Sequence, residues 1–234
     1  MFGVFTKRGL RAAAVGAAGL SACGLLAACA VTPVKMGSAA IVGNQRITVS
    51  TLDTQVSNLQ TAAKPYGSSL QLPTSEMPTA VLSWLVRFDI MSQLATDNGI
   101  SVSQAEIQAG LASVDSQAAS AASEEGYSSA SEVLIGAGIP PALFPALGQY
   151  QAQETAYALK VGHGKLPTTT AENNTFTAAF DKAQCQAAKT LNIQISPQFG
   201  RMDYTEYAVV ATPNTLSATP SASPASTEGL TPAC

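Results

Sequence analysis

Few side chains in this 234-residue chain are suited to chemistry. A histidine set among carboxylates or thiols could hold a metal or carry a proton, and His163 is the single histidine. It sits in Gly162-His163-Gly164 with no Asp, Glu or Cys at ligand spacing, which is the setting of a solvated loop histidine. Glu124 and Glu125 are adjacent, and adjacent residues on a helix do not face each other, so they read as a solvated charge run rather than an acid/base pair. No G-x-S-x-G, phosphate-loop or dinucleotide fingerprint stands in a fitting context. The residues imply a non-enzyme with no metal site and no cofactor.

Thiols are the next reactive group, and they divide by position into Cys23 and Cys29 near the start and Cys185 and Cys234 far along the chain. Lys7, Arg8 and Arg11 precede an uncharged, small-residue run from Ala12 to Cys29, the pattern of a secretory signal. Leu26-Ala27-Ala28-Cys29 resembles the lipobox of bacterial lipoproteins, which implies acylation of Cys29 and loss of residues 1–28. Leu20-Ser21-Ala22-Cys23 fits the same pattern. Cys29 is preferred because Ala30-Val31-Thr32-Pro33 opens a polar tether, over 29–38, whereas Cys23 would leave Leu25 and Leu26 just past the anchor. The alternative is an uncleaved membrane span over Ala12–Val34, long enough but rich in weakly inserting Ala and Gly. Two acyl chains, palmitate among them, bury about 0.8 kcal/mol per methylene, enough for a stable anchor on the extracytoplasmic face of the cell membrane. In an oxidising exterior Cys185 and Cys234 are then a candidate disulfide, which would stabilise by roughly 4 kcal/mol in the loop-entropy treatment.

Binding chemistry is concentrated between Pro78 and Val114. Val81, Leu82, Leu85, Val86, Ile90, Met91 and Leu94 recur at helical spacing, with Pro78 suited to the first turn and Asn98-Gly99 to the stop. Ser103 with Glu106 forms a capping box before a second stripe of Ile107, Leu111 and Val114. Trp84 and Phe88, four residues apart, lie partly off the main stripe. With Met91 they are candidates to line a client-binding groove; the other reading is that Trp84 and Phe88 pack as core against the preceding helix.

The elements that must position this helical hairpin follow from the flanking sequence. Ala39–Val42 and Gln45–Thr48 flank Gly43-Asn44 and predict a tight β-hairpin, after which Thr48 or Ser50 caps a helix carrying Leu52, Val56 and Leu59. The Ala- and Ser-rich run from Ser116 to Ser131 predicts a fading, weakly stable helix broken at Gly126. A short helix over Ser131–Ile135, another over Ala142–Val161, and a last one from a Thr170 cap to about Leu191 follow, the last with Phe176, Phe180 and Cys185 among its inward candidates. Asn192–Ser196 alternates like a strand, and the simplest closure sets Ile193 and Ile195 beside Ile41 and Ile47. Beyond Leu216 the chain is Ser, Thr, Ala and Pro, too polar to order itself.

Charge and composition limit the partners. The net charge is −3 with 12% charged residues and no basic patch, which argues against nucleic acid.

The order of these signals resembles the N-terminal chaperone module of SurA-like periplasmic foldases, and in particular actinobacterial lipoproteins that carry it. The resemblance rests on AAIVGNQRIT entering a helix at VSTLD; on VLSWLVRFDIMSQLATDNGISVSQAEI; on the Gly138-Ile139-Pro140 turn; and on AAKTLNIQISPQFGRMD with Pro197, Gly200 and Asp203. It implies a mainly α fold, SurA-N/trigger-factor-C-like, with a small β-hairpin closed by a C-terminal strand, over residues 39–204, and a flexible tail over 205–234. Full-length foldases insert a parvulin domain where this chain has Gly162–Thr170, and no such insert is present. The implied function is therefore the chaperone half: an ATP-independent extracytoplasmic holdase for unfolded exported proteins, without prolyl-isomerase activity. The alternative is a non-catalytic adaptor lipoprotein that recognises a specific envelope partner.

Overall fold

A computed structural model describes residues 36–70 and 72–212. The leader, both candidate lipidation cysteines Cys23 and Cys29, most of the tether, and the tail bearing Cys234 lie outside the described residues.

Strands β1 (Ser38–Val42) and β2 (Gln45–Thr48) turn at Gly43, whose φ of +59° is the left-handed value the two-residue connection requires. Thr48 then caps α1 (Val49–Ala63), its hydroxyl accepting the Thr51 N–H at 3.0 Å, and α1 buries Leu52, Val56 and Leu59. After a short loop, α2 (Met77–Asp97) starts with Pro78 in its first turn and ends where Gly99 turns left-handed and Ile100 N–H reaches back to the Ala95 carbonyl. The capping box is present at α3 (Gln104–Glu125), with Glu106 N–H on the Ser103 hydroxyl at 3.3 Å and Ser103 N–H on the Glu106 carboxylate at 2.6 Å.

Helix α3 does not fade. It runs unbroken through the Ala- and Ser-rich stretch to Glu125 and buries Gly110, Val114, Ala118 and Ala122, a face of small residues at four-residue spacing. The reason is α5 (Phe144–Val161), whose backbone it touches. A Cβ on Gly110 would stand 2.4 Å from the Gly148 carbonyl oxygen, and one on Gly148 would stand 2.8 Å from the Ile107 carbonyl oxygen. Residues that weaken an isolated helix here permit helix–helix contact closer than larger side chains would allow.

Between these helices, α4 (Ala130–Gly136) carries a buried carboxylate, Glu132, 2% exposed. The Ser128 N–H and hydroxyl, each at 2.6 Å, and the Ser69 hydroxyl donate to it, so the Ser128 hydroxyl first, then that of Ser69 and the Ser128 N–H, hold its pKa below the usual value. That cage ties the loop before α2 to the start of α4. Helix α6 (Thr170–Leu191) begins at a capping box of Thr169 with Glu172, one residue before the expected Thr170 cap, and Asn192 in the left-handed region ends it. Phe180 and Cys185 are buried on its inner face, and Cys185 is disulfide-bonded.

Strand β3 (Gln194–Ile195) closes the sheet as the alternation predicts, antiparallel to β1 with Ile195 opposite Ala40 and Gln194 opposite Ile41. The order is β2-β1-β3, so Ile47 lies across β1 from β3 rather than beside it. A second antiparallel hairpin, β4 (Arg201–Asp203) and β5 (Ala208–Val210), follows. The folded body thus continues past residue 204, where the sequence reading ended the domain, at least to Val210. Three-residue strands are too short to show a period; α2 holds them, because the Ser83 hydroxyl accepts the Val209 N–H at 2.9 Å and Arg87 donates to the carbonyls of Tyr207 and Glu206, each at 3.0 Å.

The main core joins β1, α1, α2 and α6 through side chains such as Val42, Leu52, Leu82, Val86, Ile90, Met91 and Ala187. A second, smaller cluster holds Val114, Ala118, Leu134, Ile139, Leu143 and Leu147 from α3, α4 and α5. No single helix among the described residues is long and apolar enough to cross a membrane, although the bent pair Ala130–Gly136 and Pro141–Val161, broken by 95°, has the length and composition.

Gly110→Ala tests the backbone contact. The added methyl should force α3 and α5 apart and lower stability by about 1–3 kcal/mol, a fall of several degrees in Tm, despite alanine's better helix propensity. Exposed Ala109→Ser should leave Tm nearly unchanged; an equally unchanged Tm for Gly110→Ala would show that the two helices do not touch.

Candidate functional site

Trp84, Arg87 and Phe88 occupy one face of α2, three and four residues apart. Trp84 and Phe88 are half-buried and roof the second core cluster rather than packing against α1. Trp84 donates its ring N–H to the Ala137 carbonyl at 2.9 Å, which fixes the ring over the turn after α4. Its neighbour Phe88 lies at 5.8 Å between ring centroids, and Phe88 meets Tyr150 of α5 edge-on at 6.2 Å. The Arg87 guanidinium carbon stands 5.2 Å from the centre of the Trp84 ring, within cation–π range.

Tyr150 joins the third element, since Gln184 of α6 donates to its hydroxyl at 3.4 Å. Burial pushes the Tyr150 phenol up to about 12, with the Glu154 charge acting in the same direction. Burial also lowers the Arg87 pKa, offset in part by Tyr150 and Glu206. Three half-buried rings from two helices therefore form a row, backed by apolar side chains and bordered by Arg87, Gln184 and Glu154.

Of the sequence candidates, Trp84 and Phe88 stand on this row and Met91 does not. Met91, seven residues after Trp84 and on nearly the same side of α2, is nevertheless fully buried, 0% exposed, because further along the helix that side is covered by the main core, with Ile90 and Leu94. It cannot touch a client while the fold is intact. His163 is exposed in a left-handed turn and its imidazole makes no hydrogen bond among the described residues. Glu124 and Glu125 are exposed at the end of α3. Among the described residues no group of three His, Cys, Asp or Glu side chains could hold a metal ion. Arg87 and Gln184 were not singled out from sequence; for Arg87 the only signal was its position one turn after Trp84.

Residues 30–130 match the family model of the SurA-like N-terminal domain. Over those residues the chain is similar to that domain. No curated protein and no solved structure matched it. The matched residues contain β1, β2 and α1 to α3, and so contain Trp84, Arg87 and Phe88, while Tyr150, Gln184 and the closing strands come from the chain beyond. The SurA-like N-terminal domain is the non-catalytic part of a chaperone-related, extracytoplasmic family that binds polypeptides in general.

Buried carboxylates give the α2 region a pH signature. Asp89, next to Phe88, is half-buried without a hydrogen bond among the described residues, and burial raises its pKa to about 6. A carboxyl whose folded pKa exceeds its unfolded value of about 3.9 weakens folding when ionised, so stability should rise as the pH falls from 7 through 6 towards 4. The gain is on the order of 1–2 kcal/mol once solvent screening is allowed for. Glu154 and Asp181, also raised by burial, act in the same sense. Glu172, held at about 2 by donors from Thr168 and Thr169, contributes stability that is present above its unfolded pKa and is lost only as the pH falls from about 4 towards 2. Thermal melts should therefore show a maximum near pH 5, and Asp89→Asn should raise Tm at pH 7.5 and flatten the rise. A Tm that falls steadily from pH 7.5 to 5 would contradict the assignment.

Proposed function

We propose that this protein is an ATP-independent holdase, a lipoprotein tethered through Cys29 on the extracytoplasmic face of the cell membrane, which binds unfolded segments of exported proteins and does no prolyl isomerisation. The observation that carries the reading is the aromatic row of Trp84, Phe88 and Tyr150, whose first two members lie inside the SurA-like N-terminal match. Half-buried rings offer apolar area and ring faces to any sequence, which suits a binder of many clients. Helices α5 and α6 are joined by residues 162–169 alone, where the related foldases carry their isomerase insert.

A second reading, an adaptor for one envelope partner, is favoured by a different observation. Among the described residues the exposed large hydrophobic side chains are Met36, Leu159 and Leu166, and these are too few to make a broad promiscuous surface. A small site with few anchors is what a specific partner would use.

The two readings separate in an aggregation assay. Soluble protein from residue 30 onward should suppress aggregation of an unfolded envelope protein without ATP, and Trp84→Ala and Phe88→Ala, each checked to be folded, should lose most of that suppression. A well-folded wild type that suppresses nothing would exclude the holdase and leave the adaptor.

We propose further that Cys185 pairs with Cys234, since the lipid would consume Cys29 and processing would remove Cys23. Intact-mass and peptide analysis of membrane-extracted protein should find an acyl adduct on the Cys29 peptide and a Cys185–Cys234 cross-link that disappears on reduction. An adduct on Cys23, or a cross-link to another thiol, would overturn the respective assignment.

A further inference from the structure

We propose that the aromatic row selects extended client segments carrying a lysine or arginine among apolar residues, with Glu154 as the counter-charge; this rests on the holdase reading and names its client chemistry. Glu154 lies one turn beyond Tyr150 on α5, four residues on and hence on the same face, near enough for its charge to disfavour ionisation of the Tyr150 hydroxyl. Its carboxylate is half-buried and makes neither a hydrogen bond nor an ion pair among the described residues, and burial raises its pKa. An unpaired, partly desolvated carboxylate is costly unless a cation reaches it.

Among the described residues no positively charged side chain pairs with it. Arg87 stands at the row, yet its guanidinium lies on Trp84 and its Nε and Nη2 donors are committed to the Tyr207 and Glu206 carbonyls. A ligand cation reaching Glu154 would also meet the ring faces of Tyr150 and Phe88, which attract cations, while its apolar neighbours lie on Phe88 and Trp84. An acidic segment would bring like charge to Glu154 and should be rejected.

The test uses the full chain in nanodiscs of zwitterionic lipid and three capped peptides, identical and apolar except for one central Lys, Gln or Glu. The Lys peptide should bind about tenfold more tightly than the Gln peptide, the Glu peptide more weakly than either, and the Lys preference should shrink with added salt. Glu154→Gln should bring the Lys-to-Gln ratio to within twofold of one, while Glu124→Gln, on the exposed end of α3, should keep the wild-type ratio. Equal binding of the Lys and Gln peptides by wild type would overturn this inference and leave the holdase standing. A preference that survives Glu154→Gln would likewise overturn it. Binding of none of the three peptides would sink the holdase reading and this inference together.

Discussion

Helix α2 must be buried on two sides, and the remaining elements satisfy that requirement. One stripe, from Val81 and Leu82 through Val86, Ile90 and Leu94, enters the core shared with α1, α6 and the sheet. The opposite side presents Trp84 and Phe88, which a single layer of partners could not also cover, so α3, α4 and α5 form a second cluster beneath the rings. A third requirement comes from polar groups on the same helix. Ser83 and Arg87 need partners when half removed from water, and the β4–β5 hairpin provides them with its main chain. Removing α2 would leave two apolar clusters and a hairpin without a common support.

The close packing of α3 on α5 follows from the same arrangement. The second cluster is small, and its thickness is set by how near the two helices come. With Gly110 against Gly148 at the seam, the backbones meet directly, and Val114, Ala118, Leu143 and Leu147 help to fill the remaining space. Bulkier residues on that seam would demand larger partners under Trp84 and Phe88 and would lift the rings outward. How far the row is exposed is therefore determined in part by glycines far from it in sequence.

What could be read from the chain was whatever depends on short-range chemistry. The Gly43 turn, the Thr48 and Ser103 caps, the Asn98-Gly99 stop and the helical stripes all rest on contacts within about five residues, and all stand where the residues imply. The closing strand was legible because Asn192–Ser196 had few segments to pair with, although pairing alone did not fix that β1 is central. What was not legible needed a distant partner. Residues 201–210 form strands only because α2 donates and accepts across more than a hundred residues. The persistence of α3 depends on α5, and Met91, on the same helix as Trp84 and Phe88, differs from them only in which cluster its turn faces. Of the candidate site, two rings could be named from their four-residue spacing; Tyr150 as their neighbour and Arg87 as their cover could not.

The electrostatics and the aromatic row bear on each other. A weakly charged chain with half-buried carboxylates at Asp89 and Glu154 gives up the inexpensive stabilisation of surface charge and tolerates desolvated acid beside its aromatic rings. Hydrogen bonding relieves that cost where a carboxylate serves the fold, as Ser69 and Ser128 do for Glu132. Glu154 and Asp89 have no such donors among the described residues. In a structure where helix caps and the Glu132 cage are this well satisfied, an unsatisfied carboxylate on the face that carries Tyr150 is a cost local to the rings, and it is the kind of cost a binding partner removes.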